Sequence, residues 1–81
     1  MQQQEIIAKL QTVFDGVFLE EVHVTPELTA EDVEEWDSLL HVSLIIAIES
    51  AFGVRFRVGE IEATKNVGDL VELIQKRLPQ G

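Results

Sequence analysis

Eighty-one residues without a cysteine exclude a disulfide framework and a thiolate metal site, and they leave room for one modest core. Fifteen acids against six bases set a formal net charge of −9, which repels nucleic-acid phosphates and anionic lipid headgroups and favours a basic protein surface as partner. An apolar content of 46% argues for a packed domain over residues 1–81 rather than an acidic disordered chain.

No apolar run is long enough to span a bilayer. The opening "MQQQEIIAKL" lacks the basic start and apolar centre of a secretion signal. A cytosolic monomer without stable membrane binding is therefore the expectation.

In chain order, Ile6, Ile7, Leu10, Val13, Phe14 and Val17 recur at helical spacing and predict a first helix over residues 3–14, with Gly16 as its stop. Residues 17–37 read as a long ordered loop, interrupted by Pro26. Val17, Phe18, Leu19, Val22, Val24 and Leu28 are expected to tack it onto the core. "TAED" at 29–32 has the form of a capping box and predicts a helical turn. Connections this long are uncommon in compact domains and often carry function.

A second helix is predicted over 38–52, with Asp37 as N-cap and Gly53 as terminator. "VRFRV" at 54–58 alternates, but a lone strand has nothing to pair with here, so an extended link is expected. A brief helical turn over 59–63 follows. The last helix starts after the N-cap Asn66, carries Asp69 at its third position, and ends with Lys76, Arg77 and Pro79. Three main helices, one short helix and no sheet define an all-α fold.

The second helix has two apolar faces. Projected at about 100° per residue, Leu44, Ile48, Ala51 and Phe52 fall on one side, with Ile45 at the border. Leu39, Val42 and Ile46 fall on another, beside Ser38 and Glu49. Either neighbouring helices wrap both sides, or the second strip is a docking patch rimmed by acids. Eight acids and no Lys or Arg lie between Glu20 and Asp37. Such a run is commonly just a solvated face, but here it flanks an exposed serine.

Ser38 has no evident catalytic apparatus. His41 lies one turn on, yet no orienting group, substrate cleft or nucleophile elbow accompanies the pair, so no enzymatic activity is expected. His41 and His23 read as solvated polar residues. The acids lack the spacing of a calcium loop and the histidines lack ligand partners, so no metal site is expected. A helix start does favour an anion attached at that hydroxyl, through its free N–H groups and dipole.

"DSL" at Asp37-Ser38-Leu39, with the preceding Trp36 and the following "LHVSLIIAIESAFGVRF", resembles the acyl carrier proteins, and the resemblance covers most of the chain. It implies a four-helix bundle of acyl-carrier type with a long loop between helices 1 and 2. It also implies that Ser38 carries a 4′-phosphopantetheine arm, donated from coenzyme A by a phosphopantetheinyl transferase, and that the arm's thiol holds acyl groups as thioesters. Asp37 then helps the transferase recognise the site. Glu34, Glu35, Leu39, Val42, Ile46 and Glu49 map to partner recognition, facing acyl-loading and acyl-processing enzymes through their basic patches. A lipid chain sequestered between helices would involve Ile48, Phe52, Phe56 and Ile61, residues that otherwise read as plain core.

The chain departs from carriers of primary fatty-acid synthesis at Leu40, Ser43 and Ser50, where acids are common, at Trp36, where a small residue is usual, and at Thr64, where an apolar one is. A stand-alone carrier for a specialised fatty-acid, lipid or polyketide pathway is the reading these departures favour. A carrier of aminoacyl or peptidyl groups, and an unmodified acidic helical adaptor for a basic partner, are the alternatives. Trp36 is expected to close the long loop onto the core.

Overall fold

The computed structural model describes residues 2–57 and 59–78. Val58, at the end of the predicted extended link, and Pro79, the predicted stop of the last helix, lie outside the described residues. Helix α1 spans Gln3–Val17, α2 Ser38–Phe52 and α3 Val67–Arg77. A single 3-10 turn, Ala30–Asp32, interrupts the connection between α1 and α2. No strand occurs among the described residues. The short helix expected over 59–63 appears as consecutive turns, closed by Ala63 N–H to the Gly59 carbonyl at 3.2 Å and Thr64 N–H to the Ile61 carbonyl at 3.0 Å.

Helix α1 packs against both α2 and α3. Ile6, Leu10 and Phe14 supply its fully buried stripe, and Leu44, Ile48 and Phe52 answer from α2. Val67, Leu70, Val71 and Ile74 close the core from α3. α1 runs to Val17, through the expected stop at Gly16. Gly16 is not among the glycines of positive φ, and Phe18, whose N–H bonds the Phe14 carbonyl at 2.9 Å, is drawn into the core and holds the last turn closed. Gly53 does terminate α2. Its φ of 66° is a conformation that costs glycine little and other residues more, and it lets Val54 N–H reach back to the Glu49 carbonyl at 3.1 Å.

Residues 18–37 are held by side chains rather than by regular structure. Phe18, Val22, Val24 and Val33 are buried. Gln11 on α1 uses both ends of its amide, donating to the Val22 carbonyl at 2.7 Å and accepting from Val24 N–H at 2.9 Å. The connection also meets α3: Val67 N–H bonds the Leu28 carbonyl and Gly68 N–H the Pro26 carbonyl, at 2.9 and 2.8 Å. A Cβ on Gly68 would stand 3.2 Å from that Pro26 oxygen, so the residue is small because the backbones approach closely. Leu19, counted with the tacking residues, instead points fully outward at 98% exposure, while its neighbour Phe18 takes the inward position.

Candidate functional site

Asp37 caps α2, its Oδ1 accepting from Leu40 N–H at 2.9 Å, and its own carbonyl accepts from His41 N–H at 2.8 Å. Ser38 is therefore the first residue of the helix, exposed to solvent, where unspent backbone N–H groups and the positive end of the dipole lie. Beside it the apolar strip stands open. Leu39, Val42 and Ile46 are 76%, 56% and 60% exposed, so neighbouring helices do not wrap this side of α2. Large apolar residues grouped on one face in this way are a mark of an interaction surface.

Trp36 precedes the cap and is half-buried. Its ring meets Phe14 edge-on at 5.4 Å between centroids and lies 5.7 Å from Phe18. Its Nε1–H donates to His41 Nδ1 at 3.1 Å, and the two rings stack at 6.1 Å with 23° between planes. Trp36 thus seals the connection onto the core, as expected. His41 corrects the expectation of a solvated histidine: its Nδ1 is spent on the indole and its ring is half-buried. That geometry turns the imidazole toward Trp36. His23 is exposed, as expected.

The acids divide into two kinds. Glu35 accepts three backbone hydrogen bonds, from Leu19 N–H at 3.1 and 2.9 Å and from Glu20 N–H at 3.0 Å. Asp32 accepts from Thr29 N–H at 3.0 Å, and Asp37 caps α2. Glu20, Glu21, Glu27, Glu31 and Glu34 are exposed. No Lys or Arg occurs between Lys9 and Arg55, so the connection and α2 carry acids without a basic residue of their own, and charge of one sign steers an oppositely charged partner. Glu49 is half-buried, and its Oε2 accepts from Phe56 N–H at 2.9 Å, which ties the exit of α2 back onto the helix.

An inner pocket of about 70 Å³ lies between the connection, α2 and the start of α3. Trp36, His41, Ile45, Thr64, Val67 and Leu70 are among the residues lining it. Ile48, Phe52, Phe56 and Ile61 are not among them; Ile48 and Phe52 are buried, and Phe56 and Ile61 pack half-buried against the core. A second, open groove runs past Ser38, lined by Ala30, Trp36, Asp37, Ser38, His41 and Val42. Among the described residues no group of histidines and carboxylates is arranged to hold a metal ion, and no helix is long and apolar enough to cross a membrane. The Trp36–His41 bond and the triple use of Glu35 escaped sequence reasoning, because each joins residues whose pairing depends on the fold.

A small helical bundle with an exposed serine opening an unwrapped apolar helix has the form of a carrier domain. No family model matches the sequence. The meromycolate extension acyl carrier protein of Mycolicibacterium aurum is 37% identical over 75 residues, 91% of this chain and 77% of its own length. The acyl carrier protein of Thermotoga maritima is 34% identical over 76 residues, 93% of this chain and 94% of its own. The acyl carrier protein of Thermosynechococcus vestitus is 36% identical over 80 residues, 96% and 98% of the two chains. The solution structure of holo acyl carrier protein from Geobacter metallireducens superposes with a TM-score of 0.73 at 35% identity, covering 93% of this chain and 83% of that one. The chain belongs to the acyl carrier protein family, and its all-α fold is that family's fold.

Proposed function

We propose that the chain is a single carrier domain that is modified at Ser38 with 4′-phosphopantetheine and shuttles acyl groups between enzymes, without catalysing a reaction itself. The observation that carries this reading is the placement of Ser38: exposed, first in α2, between an open apolar strip and an acidic surface. The residues present fit the arm. The phosphodiester would lie at the helix N-terminus, where dipole and N–H groups favour an anion, and the apolar groove of Ala30, Trp36 and Val42 would receive its uncharged part. When bound, the group supplies a thiol that the cysteine-free chain lacks and that holds an acyl group as a thioester.

The other residues then position and present the cargo. Asp37 fixes the first turn of α2 and offers the transferase a carboxylate beside the hydroxyl. Leu39, Val42 and Ile46 give apolar contact to the transferase and to acyl-loading and acyl-processing enzymes, and Glu34 with its exposed neighbours steers basic patches on those enzymes. Contacts of this kind favour fast, salt-sensitive, transient association. A pathway other than primary fatty-acid synthesis is supported by Leu40, Ser43 and Ser50 standing where that pathway's carriers often have acids. The acyl cargo is preferred to an aminoacyl one because the residues before Ser38 are acidic rather than glycine-rich. The cytosol, where coenzyme A and a transferase meet the chain, is the compartment this reading implies.

The test is incubation with coenzyme A and a broad-specificity phosphopantetheinyl transferase, followed by intact-mass measurement. A gain of one arm that disappears in Ser38→Ala is expected. No gain, or a gain that survives the substitution, refutes the carrier and leaves the acidic adaptor.

A further inference from the structure

The inner pocket and the groove at Ser38 share three residues: Ala30, Trp36 and His41. Ser38 and Val42 line only the groove; Ile45, Val67 and Leu70 line only the pocket. Trp36 and His41, with Ala30, therefore border both the groove in which a chain tethered at Ser38 begins and the inner pocket. The indole is fixed on two sides, by Phe14 and Phe18 within 5.7 Å and by the 3.1 Å hydrogen bond to His41. The space behind it is small. A cavity of about 150 Å³ holds one benzene, so a pocket of about 70 Å³ takes two or three carbons and no long acyl chain.

We propose that Trp36, latched by His41, closes the inner pocket to the cargo, so that this carrier holds its acyl group in the outer groove and presents it there instead of storing it in the core. The inference rests on the carrier reading of Ser38 and adds the class of cargo it suits, which is a short acyl chain that a partner enzyme meets directly. His41 is a positioning residue in this arrangement: its Nδ1 accepts the indole N–H, and its ring stacks beside the indole at 6.1 Å between centroids. A bulky ring in place of a small residue before Asp37 thus acts as a lid that is already shut.

Two measurements test the latch. The first loads octanoyl-phosphopantetheine onto Ser38 and follows the methyl resonances. In the native sequence the Val42 methyls shift while those of Ile45, Val67 and Leu70 hold still; in Trp36→Ala the inner set shifts as well. Inner methyls that shift in the native protein as far as in the variant overturn the proposal. The second needs no loading. Trp36 is the chain's one tryptophan and there is no tyrosine, so emission reports the latch alone. His41→Leu, which keeps bulk and removes the acceptor, should raise acrylamide quenching several-fold, and His41→Gln, which keeps an acceptor, should restore much of the protection. Equal quenching in all three overturns the latch. A protein that takes no arm fails the carrier reading by mass, while the quenching result still decides the latch.

Discussion

The two sides of α2 carry the same residue types to opposite fates. Leu44 and Ile48 are wholly removed from water, whereas Leu39, Val42 and Ile46 are more than half exposed. Burial of the first set contributes to stability at roughly 25 cal/mol per Å² of apolar surface. The second set contributes far less in the isolated domain, yet it fills consecutive turns beside Ser38. The difference teaches that hydrophobicity along this helix serves folding on one side only, and the proposed use of the other side is partner contact.

Substitutions at matched positions break that comparison most sharply. Ile48→Ala should destabilise the domain by about 2–5 kcal/mol, a large share of the roughly 5–15 kcal/mol typical of a folded protein. Ile46→Ala, two residues away, should stay within about 0.5 kcal/mol of the native value while slowing modification of Ser38. Urea unfolding curves and transferase rates measured on both variants check the pair. A comparable loss of stability at Ile46 would erase the distinction between faces.

A smaller effect separates the two kinds of acid. Glu35→Ala leaves two backbone N–H groups without their shared carboxylate and should cost about 1–2 kcal/mol, whereas Glu34→Ala should be near neutral in stability. The reverse order is expected for docking. Glu34→Lys should slow arm transfer more at low salt than at high salt, because screening removes the steering that the native carboxylate provides. Equal slowing at both ionic strengths would take electrostatics out of the docking account.

The smallest effect concerns pH. Glu60 accepts a hydrogen bond from Arg57 N–H at 2.6 Å and pairs with the Arg77 guanidinium at the end of α3. The backbone hydrogen bond first, and the Arg77 contact second, hold its carboxyl below the ordinary glutamate value of 4.5. A depressed carboxylate contributes stability above its unfolded value and loses it as pH falls through the folded one. Glu60→Gln should therefore lower the melting temperature slightly near neutrality, where the native carboxylate stabilises, and flatten the acid-side decline below about pH 4.5, so that the two proteins converge in acid.

Much of this molecule was legible as sequence because its helix ends use side-chain chemistry. Asp37 and Asn66 are caps by residue type, and both accept from the third helical N–H, at 2.9 Å each. Gly53 needed its left-handed φ, and the projection of α2 placed both faces correctly. The errors arose where local chemistry is ambiguous. Gly16 resembles a stop, but the burial of Phe18 two residues later continues the helix. Leu19 resembles core, but only one of two successive residues in an extended segment can face inward, and Phe18 does. Glu35 is one of eight acids spread over residues 20–37, and nothing in its neighbours marks it as the one that clamps Leu19 and Glu20. His41 reads as a surface residue until Trp36 is folded over it.

The most direct trial of the central claim is the state of Ser38 in the living host. Peptide mass spectrometry on the chain isolated from its native cells should find Ser38 bearing the pantetheine phosphodiester, with acyl-loaded forms beside it. Ser38 found bare in cells whose transferase is active would contradict the account.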